Sequence, residues 1–265
     1  MSECVLSASS YPNIQIVLVE TSHPGNIGAA ARAMKNMGLD QLVLVKPHYF
    51  PSEQAIARAS GADDILQQSR TCDSLLEAIA GCQLVIGCSA RLRSVKWPLL
   101  NPRECADTVV RASQQAPVAI VFGREHSGLT NEELDYCHFL MHIPTNPDFQ
   151  SLNLAAAVQV VAYEIGLLIL TNQVPTSGDS DVGQDDYPLA SAYQVELFYV
   201  HLETTLKEIG FLNPPNCKKL MRQVKRIFHR ARLDVNEVNI LRGILSAAQG
   251  RKYRRLSASQ EEVGK

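Results

Sequence analysis

The sequence predicts an α/β domain on a mostly parallel sheet, followed by a small all-helical domain. Three observations carry this. Short runs of valine, isoleucine and leucine alternate with helical stretches through the first 170 residues. A run rich in aspartate and serine, broken by proline and glycine, follows them. Beyond it the pattern is purely helical, with positive charge concentrated there. The expected organisation is a domain over 1–170, a flexible acidic linker over 171–188 and a basic helical domain over 189–265.

The predicted strands are Ile14–Val19, Gln41–Val45, Gln83–Gly87, Val118–Phe122 and Phe139–Ile143. Their almost continuous apolar character suits a sheet covered on both faces. Helix starts are legible where a capping side chain is followed three residues later by a carboxylate: Ser74 with Glu77, Asn101 with Glu104 (Pro102 between them), and Thr130 with Glu133. A helix is expected over Ala29–Met37, and Gly38 and Gly81 read as helix stops. Leu154–Leu170 is apolar nearly all round, so it needs cover on more than one side. A second subunit or an internal core would each provide it. After Leu189 three helices are expected, broken near Gly210–Pro215 and near Leu233–Asp234.

Bulk properties exclude several classes. With 46% hydrophobic and 20% charged residues the chain can bury a sizeable core. The N-terminal residues lack the basic-then-apolar pattern of a signal peptide, and Asn153, Gln159 and Glu164 interrupt the longest apolar stretch. The seven cysteines include no pair with metal or redox spacing. The expectation is a soluble cytoplasmic protein with free thiols. His138 and His142 have no third ligand candidate nearby, so no metal is expected. Net charge is −2, yet Lys207–Arg255 holds 13 Lys or Arg against 3 Asp or Glu. That asymmetry is a common footprint of nucleic-acid binding.

Three segments carry the chemistry. After the first strand, Glu20-Thr-Ser-His-Pro-Gly25-Asn26-Ile-Gly28 is a glycine-bearing turn that could cradle phosphate or simply start a helix. It lacks the G-x-G-x-x-G fingerprint, which argues against a dinucleotide-dependent oxidoreductase. Phe122-Gly123-Arg-Glu125-His-Ser-Gly128-Leu129 ends a strong strand, where ligands of α/β sheets gather and glycine permits close approach. Ile143-Pro144 leads to Ser151-Leu152-Asn153, where Ser151 either caps the next helix or serves a site.

The ordered set Asn26-x-Gly28-x3-Arg32, Phe122-Gly-x-Glu125-x-x-Gly128-Leu129 and Ile143-Pro144 to Ser151-Leu152-Asn153 resembles the SpoU-like ribose methyltransferases, a branch of the SPOUT superfamily, over roughly residues 13–170. Within that branch the opening Val-Leu-Val-Glu-Thr-Ser-His-Pro-Gly-Asn-Ile-Gly, the Arg91–Pro98 stretch, Gly-Leu-Thr-Asn-Glu-Glu-Leu and the late Asn-Ile-Leu-Arg-Gly-Ile-Leu are similar to the bacterial TrmJ group. That group consists of tRNA (cytidine/uridine-2′-O)-methyltransferases acting on nucleotide 32 of the anticodon loop.

The resemblance implies a trefoil knot in the C-terminal part of the first domain, which strand–helix alternation alone would not suggest. It implies S-adenosylmethionine as donor, held by Cys88, Ser89, Ala90, Gly123, Ile143, Gln150, Ser151 and Leu152. Cys88 departs from the threonine usual there, which puts any hydroxyl contact in doubt. It further implies a homodimer with shared sites, tRNA as partner, and Arg32 as the residue acting on the 2′-hydroxyl. A guanidinium has no acceptor and stays protonated, so Arg32 is expected to clamp phosphate and stabilise developing oxyanion charge. Asn26 and Glu125 are expected to hold the site loops, and Ser151 and Asn153 to orient substrate or donor.

RNA contacts are expected from Arg91 and Arg93 and from Lys218, Arg222, Lys225, Arg226 and Arg230. The last five share one side of a helix with His229, while Leu220, Val224, Ile227 and Ala231 lie on another side. A solvated charged face is the competing reading. A ribosomal-RNA ribose methyltransferase and a non-catalytic RNA-binding protein remain the alternative functions.

Overall fold

The computed structural model describes residues 13–90, 97–171, 187–212 and 217–250. Arg91, Arg93 and most of the predicted linker lie outside them. The chain divides into two compact units, Met1–Asp181 and Val182–Lys265.

The first unit runs β1 (Ile14–Val19), α1 (Pro24–Asn36), β2 (Gln41–Val45), α2 (Glu53–Ala59), α3 (Asp63–Gln68), β3 (Arg70–Cys72), α4 (Leu75–Ile79), β4 (Leu84–Cys88), β5 (Leu99–Leu100), α5 (Pro102–Ser113), β6 (Val118–Phe122), α6 (Asn131–Leu134), β7 (Phe139–Met141) and α7 (Leu154–Leu170). Its seven strands form one sheet in the order β3-β2-β1-β6-β4-β7-β5. Every pairing is parallel. Alternation at period two explains why the strands read as unbroken apolar runs. Ile14, Ile16, Leu18, Leu84, Ile86, Val118, Ile120 and Phe122 join the core formed with α1, α5 and α7, while Val17, Val19, Val85 and Val121 are buried on the opposite face. The neighbours of α7 within the unit are α1 and α5.

Capping chemistry acts as its spacing predicts. Asn101 with Glu104 and Thr130 with Glu133 form complete capping boxes, and Ser74 accepts from the Glu77 amide. Gly38 takes the left-handed conformation just past α1 at φ +74°, whereas Gly81 does not. Two expectations are corrected. The short strands β3 and β5 were not foreseen, because two or three residues carry too little periodicity. Helix α1 begins at Pro24 instead of Ala29, because proline occupies its first turn and the His23 ring accepts the Gly25 amide. The glycine-bearing part of that turn, from Gly25 to Gly28, is therefore helix.

The second unit holds α8 (Ala192–Glu208), α9 (Cys217–Ala231) and α10 (Val235–Ala248). Its core gathers Val195, Phe198, Tyr199, Leu202, Met221 and Val238, with Leu220, Val224 and Phe228 packed against it. The expected apolar side of α9 is thus rotated: Met221 and Phe228 are inside, while Ile227 is 55% exposed and Ala231 is also exposed. Lys225 does not belong to the open basic face. Its ammonium pairs with Glu196 at 3.3 Å and lies over the Tyr199 ring at 4.9 Å. His229 is buried, its ring edge-on to Tyr199. Lys218 and Arg230 are exposed, and Arg222 and Arg226 half-buried.

Candidate functional site

Strands β6, β4 and β7 are neighbours in the sheet, so the segments following them meet although they lie tens of residues apart in sequence. At their carboxyl ends is a cleft of about 290 Å³. Its walls come from Cys88–Ala90, Phe122–Gly128 and Ile143 with Gln150–Leu152, and Leu154 and Ala157 of α7 close it. All eight residues expected to hold a donor line this one cleft. Two shifts in strand ends matter here. β4 extends to Cys88, and β7 stops at Met141, which releases Ile143 into the loop where it reaches the cleft. Burial pushes the Cys88 thiol up to about 12, so it is a neutral wall residue at physiological pH.

Beside the cleft a polar network joins the three motifs. The Glu125 carboxylate accepts from the Ser22 amide (3.1 Å), the Ser22 hydroxyl (3.0 Å), the His23 amide (3.1 Å) and Asn26 Nδ2 (2.9 Å). Burial opposes its ionisation, but the Asn26 and backbone hydrogen bonds outweigh that and hold the carboxyl down at about 2. Asn26 Oδ1 in turn accepts from Asn153 Nδ2 at 3.0 Å. Asn153 also caps α7, accepting from the Ala155 and Ala156 amides. The cap is therefore Asn153 and not Ser151, which leaves the Ser151 side chain in the cleft wall.

A second clamp was invisible in the sequence. The Arg124 guanidinium grips both oxygens of Glu133 (2.9 and 3.0 Å) and bonds Glu20 at 2.7 Å. These bonds to Glu133 and Glu20 raise its pKa above the ordinary arginine value. It fastens the Gly123–Gly128 loop to α6 and to the β1–α1 junction. Glu133 was legible only as a capping residue, and Glu20 lies 104 residues from Arg124.

Two glycines have reasons other than ligand approach. A Cβ on Gly28 would stand 1.9 Å from the Ala55 carbonyl oxygen, so Gly28 lets α1 lie against α2. A Cβ on Gly123 would meet the Gly128 carbonyl carbon at 2.2 Å and the Leu129 amide at 2.3 Å. Its missing side chain is filled by the loop's own backbone.

Arg32 is exposed on α1, is not among the cleft-lining residues, and makes no hydrogen bond or ion pair with the described residues. His138 Nδ1 accepts from the Val85 amide, and His142 Nδ1 lies 3.1 Å from the Ser89 carbonyl oxygen. Among the described residues no cluster of three or more His, Cys, Asp or Glu is placed to hold a metal.

A parallel sheet with a cleft built from three carboxyl-end segments defines a ligand-binding α/β domain, and comparison with known proteins specifies which. Residues 13–163 match the SpoU rRNA methylase family, and residues 193–261 match the C-terminal domain of the tRNA methyltransferase TrmJ. The chain is 52% identical to the tRNA (cytidine/uridine/adenosine-2′-O-)-methyltransferase TrmJ of Pseudomonas aeruginosa, covering 91% of this chain and 97% of that one. It is 51% identical to the tRNA (cytidine/uridine-2′-O-)-methyltransferase TrmJ of Photorhabdus laumondii, covering 89% and 97%. The crystal structure of TrmJ from Zymomonas mobilis superposes with a TM-score of 0.77 at 36% identity, covering 89% and 98%. The chain belongs to the SpoU methylase family.

Proposed function

We propose that this protein transfers a methyl group from S-adenosylmethionine to a ribose 2′-hydroxyl of tRNA, at a cytidine or uridine in position 32 of the anticodon loop. The observation that carries the reading is the convergence of Cys88–Ala90, Gly123, Ile143 and Gln150–Leu152 on one cleft. That cleft fits the donor's chemistry. Phe122, Ile143, Leu152 and Leu154 offer apolar wall for a nucleobase, and Ser89, Ser127, Gln150 and Ser151 offer hydrogen-bonding groups. Glu125, held ionised near the cleft, suits a sulfonium cation. The donor, when bound, supplies an electrophilic methyl group, so the protein's part is to orient the acceptor oxygen and stabilise its developing charge.

Arg32, without a partner among the described residues, is the residue for that acceptor side. It clamps the neighbouring phosphate while water or a phosphate oxygen takes the proton. Because Arg32 does not line the cleft of its own chain, the reading includes a homodimer in which Arg32 serves the partner's donor. The basic side of α9, with Lys218, Arg222, Arg226 and Arg230, grips the tRNA backbone, and the protein works in the cytoplasm.

The experiment is methyl transfer from labelled donor to unmodified tRNA and ribosomal RNA, with the methylated nucleotide mapped by mass spectrometry. Label at ribose 32 of tRNA supports the reading, and label confined to ribosomal RNA refutes its substrate. The name of the Pseudomonas relative includes adenosine, so transcripts carrying each base at position 32 belong in the test. Sedimentation gives the oligomeric state.

A further inference from the structure

Phe149 is the most exposed large apolar side chain among the described residues, at 78%. Its position is held, not frayed. Asn146 Oδ1 accepts from the Asp148 amide (3.0 Å), the Asn146 carbonyl accepts from the Phe149 amide (2.9 Å), and the Thr145 hydroxyl donates to the Gln150 carbonyl (3.2 Å). This turn braces the backbone and projects the ring outward. The next three residues, Gln150, Ser151 and Leu152, line the cleft, and Leu152 is itself 39% exposed. Phe149 thus sets an exposed aromatic ring one residue before the cleft wall, where Leu152 adds a second partly exposed apolar side chain.

We propose that Phe149 stacks on the base of the nucleotide being methylated and is a specificity-determining contact for single-stranded RNA. The inference rests on the ribose-methylation reading. A 2′-oxygen can meet a donor in the cleft only if its ribose enters the mouth, and the base on that ribose then lies alongside the rim. A nucleotide drawn out of its loop loses stacking, and an aromatic face replaces it for any base identity. The rim residue on this side is an aromatic ring, not a lysine or arginine, so it addresses a base and not a phosphate.

The chain's single tryptophan, Trp97, is buried and donates Nε1–H to the Cys137 carbonyl at 3.1 Å. A Phe149→Trp variant therefore adds one exposed indole over a shielded background. Its added emission is expected to be quenched by unmodified tRNA, and not by a transcript whose anticodon loop is replaced by a continuous stem. Phe149→Ala and Phe149→Leu are expected to raise KM for tRNA by about 5- to 160-fold, the range of one lost base–aromatic stack. Phe149→Tyr should stay near wild type. Donor affinity by calorimetry and the salt dependence of tRNA binding should not change, since no charge is altered.

Three results would overturn the proposal: full activity in Phe149→Leu, an indole indifferent to tRNA, or a monomer–dimer shift in Phe149→Ala, which would give the ring to a second copy of the chain. Wild-type protein that methylates no tRNA would instead refute the reading beneath it, and is scored before any variant.

Discussion

Replacing Glu125 with glutamine keeps the side chain's size and changes its hydrogen-bonding character. Oε1 accepts from the His23 amide and Asn26 Nδ2, and Oε2 from the Ser22 amide and hydroxyl. An amide NH2 in place of Oε1 faces two N–H donors and loses both bonds, whereas in place of Oε2 it loses the Ser22 amide while the Ser22 hydroxyl can turn to accept, so one or two of the four bonds are lost. Charge-assisted bonds contribute about 1.5–3 kcal/mol each when fully buried. This carboxylate is only half-buried and water can replace part of the loss, so the expected cost is about 1–2 kcal/mol in total. For a unit of this size that lowers Tm by roughly 2–8 °C.

The same carboxylate sets a pH dependence. Its pKa is depressed from 4.5 to about 2 in the folded state. Its contribution is therefore fully present above about pH 4.5 and lost as pH falls toward 2. Denaturant titrations of wild type and Glu125→Gln at pH 7, 5, 4 and 3 are the assay. A gap of about 1–2 kcal/mol at pH 7 that narrows below pH 4.5 is expected. Equal stabilities at pH 7, or a gap constant down to pH 3, would refute the role given to this network.

Arg32→Ala should abolish methyl transfer while leaving Tm and donor affinity unchanged, because the side chain is exposed and makes no bond within the described residues; transfer assays beside calorimetry check this. Gly28→Ala should destabilise the first unit by several kcal/mol by pushing α1 off α2 at the Ala55 carbonyl, visible as a large Tm loss in thermal unfolding. Changing Lys218, Arg222 and Arg226 together to glutamate should weaken tRNA binding and flatten the slope of log affinity against log salt by about 2–3. Binding titrations at several salt concentrations test this, and an unaltered slope in a folded variant would make that side of α9 merely solvated.

What the sequence determined by itself is what lies within a few residues along the chain. Asn101 with Glu104 and Thr130 with Glu133 announce helix starts because donor and acceptor are neighbours in sequence. The valine and isoleucine runs announce strands buried on both faces because side chains alternate within each strand. The roles of Asn26, Glu125 and Asn153, and the eight residues that meet in the cleft, came from the resemblance of the ordered motifs to the SpoU-like methyltransferases. Tertiary structure alone decided which of these residues touch. Glu125 reaches Asn26 across 99 residues and Arg124 reaches Glu20 across 104, and such pairs form only once β6 is inserted between β1 and β4. Gly28 and Gly123 read as ligand-facing glycines, but a Cβ on either would strike backbone, that of α2 for Gly28 and that of its own loop for Gly123, which lines the cleft all the same. On α9, helical periodicity placed Lys225 and Arg226 on a common side without saying which would turn inward. The Glu196 carboxylate and Tyr199 ring on a different helix made that choice, because burial depends on what packs opposite a residue and not on its neighbours in sequence.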